Sequence, residues 1–276
     1  MKKYIVAFLI ISTLSAALNN AVAVAAHEEY PHYLAENHSR YEAYRARNPR
    51  LPYDMVIAYV NADVDKGFYS EISTVAEPES ISVLVNKNFI LPRDYEPDDL
   101  VSLGGGYRLR AEAAERLSTM RTDMNNLGYR IYVMSAYRTY QSQLYKYNDG
   151  VRNYGREFAD TQYARPGHSE HQTGLAVDIV QRTNIRYMTQ ARFENTEEFA
   201  WLRENAYKYG FILRYPREYT DIHGFIYEPW HWRYVGVDIA TAMHNESIIM
   251  FEEYYGRHLA PGVLAKIESE RAQQRK

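Results

Sequence analysis

Apolar positions along the chain change period several times, and each change marks an element or a boundary. After Lys2 and Lys3 comes a mostly apolar run from Ile5 to Leu18, then the small residues Ala21-Val22-Ala23-Val24-Ala25-Ala26. A basic start, an apolar middle and small residues at −3 and −1 form the layout of an export leader, with cleavage expected near Ala23 or Ala25. The run is broken by Ser12, Thr13 and Ser15 and falls short of the about 20 residues that span a bilayer. A removed leader is therefore expected, with an uncleaved anchor as the alternative, and no permanent membrane span is expected elsewhere. Beyond it, Tyr33, Tyr41 and Tyr44 recur at loosely helical intervals, predicting one or two short helices that end near Asn48-Pro49. Pro78, Pro92 and Pro97 punctuate a connecting stretch with one β-like run, Ile81 to Val85. Gly104-Gly105-Gly106 closes it as a turn, with no strand expected to lead in, before a helix from about Arg110 to Asn126.

From Tyr129 the punctuation becomes that of an α+β domain. Tyr129 to Met134 reads as a strand, Gln141 to Asn153 as a helix, and Leu175 to Val180 as a second strand after the breaker Gly174. Glu197 to Tyr209 is amphipathic and stops at Gly210, and Phe211 to Tyr215 is a third strand. Phe225 to Val235 reads as a hairpin or bent strand, and Val237 to Tyr254 as a closing helix. Strands outnumber the crossovers a parallel sheet requires, so the expected fold is α+β, a mainly antiparallel sheet with helices packed on one side. The expected division is a leader over 1–25, a helical and connecting region over 26–100, a catalytic domain over 101–260 and a charged tail over 261–276.

Composition adds exclusions. Lys and Arg total 32 against 35 Asp and Glu, so neither a nucleic-acid footprint nor a polybasic membrane patch is present. The chain has no cysteine, which removes disulfides, thiol nucleophiles and thiolate metal sites. Its 27 tyrosines suit half-buried surfaces generally. An exported, soluble protein of about 250 residues is expected after leader removal, acting as a monomer.

Several catalytic designs fail by inspection. No serine has lysine three places on, and Gly167-His168-Ser169-Glu170-His171 puts histidine where a nucleophile elbow needs glycine. His27-Glu28-Glu29-Tyr30-Pro31 is not the zincin helix, and the triple glycine fits neither nucleotide-binding pattern. What remains is a metal design drawn from three places: His171 and Asp178 on either side of Gly174, and His231 three residues after Glu228. Two neutral imidazoles and one carboxylate suit a catalytic Zn2+ with a position left for water, and Glu228 stays free as a base. Asp178 sits within an apolar strand, where charge is costly without a partner. Trp230 and Trp232 read as core or rim.

Three blocks then carry a resemblance: Ser135-Ala136-Tyr137-Arg138-Thr139 with Gln143, the run from Ala164 to Asp178, and Tyr227-Glu228-Pro229-Trp230-His231-Trp232-Arg233-Tyr234-Val235-Gly236. Together they resemble the VanY-type D-alanyl-D-alanine carboxypeptidases, strongly from Tyr129 to Gly236 and loosely over Val56 to Leu100. The resemblance implies a zinc peptidase of the fold shared with the Hedgehog signalling domain, with peptidoglycan stem peptides ending in D-Ala as partners outside the membrane. By the same resemblance His171, Asp178 and His231 are metal ligands, Glu228 is the catalytic base, and Arg138 contacts substrate and developing charge. Gln143 and Ser169 match substrate-side positions, and His168 and His223 have no ligand role in the pattern. An L,D-carboxypeptidase acting on tetrapeptides shares these motifs, and a non-catalytic zinc-stabilised wall-binding module is the reading from another class.

Overall fold

The computed structural model describes residues 30–182 and 190–274, so the expected leader lies outside the described residues. By contacts the described residues form two units, one of 30–65 together with 252–274, the other of 66–182 together with 190–251.

In the first unit, helix α1 (His38–Arg47) ends just before Asn48-Pro49 and α2 (Tyr53–Asn61) follows Pro52. Proline disfavours the helical conformation in the residue before it, which places the break. Tyr41, Val56, Ile57 and Val60 are fully buried. Asn61 Nδ2 donates to the carbonyls of His32 (2.9 Å) and Gly256 (3.1 Å), and Arg257 pairs with Asp54 at 2.8 Å, so the last stretch of the chain is tied to the first described one.

The second unit opens with a short parallel pair, β1 (Ser73–Thr74) and β2 (Phe89–Ile90). The run Ile81 to Val85 is not a strand, contrary to expectation. The Arg233 guanidinium donates to the carbonyls of Ile81 (3.0 Å) and Val83 (2.8 Å), taking the acceptors a ladder would use, while Val83 and Val85 pack with Leu91. A strand does lead into the triple glycine: β3 (Leu100–Gly104) and β4 (Tyr107–Arg110) form a hairpin around it. Then come α3 (Ala111–Asn126), β5 (Ile131–Ser135), α4 (Tyr140–Tyr154), α5 (Arg156–Gln162) and β6 (Ala176–Gln181). The Thr139 hydroxyl caps α4, accepting from the Ser142 N–H at 3.1 Å. Helix α6 (Glu197–Asn205) continues as a 3-10 turn to Tyr209, and β7 (Phe211–Leu213), β8 (His231–Tyr234) and α7 (Val237–Asn245) complete the unit's main elements.

The principal sheet has the order β5-β6-β8-β7 with every pair antiparallel, so the α+β, mainly antiparallel fold is observed. Alternation along β6 and β8 sorts its faces. Val177, Ile179, Trp232 and Tyr234 join Leu117, Met120 and Met124 of α3 and Phe199 and Leu202 of α6 in one core, leaving Asp178 and His231 to the other face. Three expected spans are shorter, the first being the strand from Phe211, which ends at Leu213 and not at Tyr215. Only His231–Tyr234 of the proposed hairpin pairs, because Glu228-Pro229-Trp230 is a turn closed by the His231 N–H donating to the Glu228 carbonyl at 3.1 Å. The closing helix stops at Asn245, where Ser247 turns left-handed (φ +56°) and the N–H of Ile248 reaches back to the Met243 carbonyl at 2.8 Å, a Schellman ending.

Candidate metal and catalytic site

Each predicted ligand comes from a different element. His171 lies on the 3-10 turn Glu170–Thr173, Asp178 in the middle of β6, and His231 at the start of β8. Register brings two of them together, since Asp178 and His231 are direct cross-strand partners. Gly174 brings the third: it ends the 3-10 turn at φ +66°, and a Cβ there would stand 2.8 Å from Leu100 Cδ2. Only glycine takes both that conformation and that approach without strain.

One ligand atom from each of the three residues falls within 4.8 Å of the others, and all three residues are buried. Asp178 Oδ1 is 3.3 Å from His171 Nε2 and 3.2 Å from His231 Nδ1. The opposite ring nitrogens are occupied: His171 Nδ1 donates to the Ala136 carbonyl at 2.7 Å, and His231 Nε2 to Glu170 at 3.2 Å. Those bonds select the tautomers that turn lone pairs toward Asp178, as outer partners of metal-binding histidines do. Asp178 Oδ1 is buried without a hydrogen-bond partner. Two ring nitrogens around an unsatisfied carboxylate oxygen fit a divalent cation, and the nitrogen and oxygen donors suit a first-row metal.

Protonation follows from burial and neighbours. Burial pushes His171 down to about 4, a neutral imidazole, against the pull of Asp178. Burial would raise the Asp178 carboxyl, but the two imidazoles outweigh it and hold it well below the usual carboxylate range. Without a metal, His231, which burial alone would lower, is held up to about 9 by Asp178 and Glu170, so a bound cation takes the place of its Nδ1 proton. Burial raises Glu228 to about 7, with Asp178 adding to the rise and the cations His231, Lys146 and Arg138 opposing it. Its carboxylate lies 3.7 Å from His231 Nδ1.

A cavity of about 200 Å³ opens onto this cluster, lined among others by Arg138, Lys146, Tyr163, Ser169, Glu228 and Trp230. Arg138 follows β5; its N–H donates to the His171 carbonyl at 3.0 Å, and its guanidinium donates to Gln143 Oε1 at 2.6 Å and Ser135 Oγ at 2.8 Å. Gln143 Nε2 donates to the Ala164 carbonyl at 2.6 Å, so that amide braces the arginine. Of the two flanking histidines, His168 is buried with Nδ1 on the Asn86 carbonyl at 2.8 Å, and His223 donates from Nε2 to the Pro216 carbonyl at 3.0 Å. Trp232 is core; Trp230 is both core and cavity wall.

Sequence reading gave no role to Glu170 or Lys146. Glu170 is fully buried and accepts from Arg214 (2.8 Å), Arg233 (3.0 Å) and His231. Those partners lie far along the chain from it, and the only local signal was a carboxylate next to a predicted ligand.

Comparison with known proteins decides the family. The putative carboxypeptidase YodJ of Bacillus subtilis (strain 168) is 40% identical over 193 residues, covering 67% of this chain and 70% of that one. The profile of the VanY D-alanyl-D-alanine carboxypeptidases matches residues 106–237. The chain belongs to this family. Among solved VanY-like structures, the LdcB LD-carboxypeptidase superposes with a TM-score of 0.63 at 39% identity, covering 68% of this chain and 91% of that one. VanYB in complex with D-alanine-D-alanine gives 0.57 at 34%, covering 64% and 98%. A vancomycin-resistance D,D-pentapeptidase VanY in complex with Zn(II) gives 0.56 at 34%, also covering 64% and 98%. Membership supports a peptidase, and the His171, Asp178 and His231 cluster lies inside the matched span.

Proposed function

We propose that this protein is a zinc-dependent D-alanyl-D-alanine carboxypeptidase that removes the terminal D-Ala from peptidoglycan stem peptides. The observation that carries the reading is the unsatisfied Asp178 Oδ1 between two imidazoles, with the Glu228 carboxylate beside them in the same cavity. Relatives in complex with Zn(II) and with D-alanine-D-alanine support the metal and the substrate. His171, Asp178 and His231 would hold the ion. When bound, zinc supplies a Lewis acid and lowers the pKa of water to about 7.

The remaining chemistry belongs to the side chains. Glu228, raised to about 7 by burial, takes a proton from the attacking water at neutral pH and returns it to the leaving amine. Arg138 keeps a fixed positive charge beside His171 and Asp178, pre-organised by Gln143 and Ser135. Ser169 lines the cavity as a substrate-side hydroxyl. Tyr215, Phe225, Ile226 and Trp230 supply the apolar wall that excludes bulk water.

The test is D-alanine release from a pentapeptide and a tetrapeptide stem by purified protein. Preferential cleavage of the pentapeptide, abolished by chelation and restored by zinc, is expected. Preference for the tetrapeptide moves the assignment to L,D-carboxypeptidase, the reading that likeness to LdcB favours. Metal analysis should give one zinc per chain, lost in His231→Ala; full retention in that variant overturns the ligand set. A non-catalytic wall-binding module has no use for the unligated Glu228. Export is proposed with the activity, and intact mass of secreted material should begin between Val24 and His27.

A further inference from the structure

Arg138 is not the cavity's only cation. Lys146 also lines it, on α4 one turn after Gln143, and among the described residues its ammonium forms no ion pair. The ammonium stands over the Tyr163 ring, 5.5 Å from its centre. That ring is seated by Gly150, one turn further along the same helix, where a Cβ would come within 2.5 Å of Tyr163 Cδ2. The absence of a side chain at 150 thus lets Tyr163 lie against the helix and present its face to Lys146.

The two cations are held in different ways. Arg138 is bound through its N–H to the His171 carbonyl and through its guanidinium to Ser135, the cross-strand partner of Asp178. The Lys146 ammonium has no such tie to the cluster: it stands over the Tyr163 ring in the cavity that Glu228 also lines. The chemistry of an exopeptidase makes two demands on positive charge. Glu228 returns its proton to the leaving amine, and in a terminal D-Ala that amine is one Cα away from the free carboxylate. The carboxylate therefore falls on the Glu228 side, and the oxygen of the scissile carbonyl on the metal-cluster side.

We propose that Lys146 is the specificity residue that reads the substrate's free C-terminal carboxylate, leaving Arg138 for the charge that develops on the scissile carbonyl. The inference rests on the carboxypeptidase reading above. No new bond is made or broken by it; the lysine supplies a charge-assisted contact already present in the ground state, which acts on KM rather than kcat.

The experiment compares wild type, Lys146→Met and Lys146→Arg on a pentapeptide ending in D-Ala-D-Ala and on its C-terminal amide. On the free acid Lys146→Met should raise KM about 10- to 100-fold, the range for losing one contact to a charged group, with kcat within about threefold. On the amide the same substitution should change nothing, and Lys146→Arg should recover part of the loss on the acid. Binding of D-alanyl-D-alanine to Glu228→Gln protein, with and without Lys146→Met, reads the same contact without turnover and should weaken equally. An unchanged KM, an equal loss on acid and amide, or a fall in kcat alone each overturns the role of Lys146. If wild type cleaves and binds none of these peptides, the carboxypeptidase reading itself falls, and the inference with it.

Discussion

At the scale of single residues, position matters more than type. Glu170 and Glu228 are both buried glutamates within reach of His231, yet their surroundings drive them apart. Two arginines and an imidazole hold Glu170 ionised well below the usual range, whereas burial lifts Glu228 to about 7. The first is a fixed anion that orients His231, and the second can exchange a proton near neutrality. Replacing Glu228 by Gln should leave zinc content and melting temperature unchanged while kcat falls about 10²- to 10⁴-fold, the span for a lost general base; loss of metal in that variant would make Glu228 a ligand. Glu170→Gln should behave oppositely. It leaves Arg214 and Arg233 buried without their anion and His231 without its orienting carboxylate. A destabilisation of about 3–5 kcal/mol in denaturant unfolding is expected. Zinc affinity should also fall, by about 10- to 100-fold in competition with a chelator. Of these residues the donor types and Glu228 were legible, because the chemistry requires them by kind. Glu170 was not, because its partners are brought to it only by the fold.

At the scale of elements, the site is made by a turn and a register. The left-handed Gly174 lets the chain pass from the 3-10 turn carrying His171 into β6 within a few residues, pressed against Leu100 and Arg110. Gly174→Ala places a Cβ 2.8 Å from Leu100 Cδ2 in a conformation costing about 1–2 kcal/mol for any other L-residue. The unfolding free energy should therefore fall by at least that amount with an unchanged m-value, and zinc affinity should fall with it; wild-type stability would mean that the turn re-forms around the side chain. Strong periodic segments were read close to their true limits, such as α3 and α6, since their signals are contained within one or two turns of sequence. The Ile81 to Val85 run misled because β propensity says nothing about where acceptors go, and Arg233 supplies them with donors from another strand. The Phe225 to Val235 run misled because a turn at Glu228-Pro229-Trp230 looks apolar and aromatic in sequence, yet it is what holds Glu228 3.7 Å from His231.

At the scale of the whole molecule, buried polar residues tie sheet and loops together, and some carry a pH signature. His168 is buried against the Asn86 carbonyl, and burial pushes its pKa down to about 4, with Arg165 adding to the fall. An imidazole whose folded value lies below its unfolded value of about 6.5 binds protons more readily in the unfolded chain, so its contribution is fully present above pH about 6.5 and is lost as pH falls toward 4. Wild type should therefore lose unfolding free energy across that window, and His168→Gln should flatten the slope there even if it is less stable throughout; an unaltered slope would assign the acid sensitivity to other groups.

The sequence by itself held the α+β class, the absence of any thiol, and the residues His171, Asp178 and His231 that the fold gathers, with Glu228 and Arg138 in the same cavity. All of these are written in local period, composition or motif, which survive without knowledge of long-range contacts. Tertiary structure alone decided that Asp178 faces His231 across two strands, that Gln143 braces Arg138, that Glu170 joins two distant arginines, and that Lys146 turns into the cavity over Tyr163. It also decided that residues 252–274 group with 30–65. The physical reason is the same in each case: a hydrogen bond or ion pair depends on separation in space, and strand register and turn geometry bring together groups whose separation along the chain carries no signal.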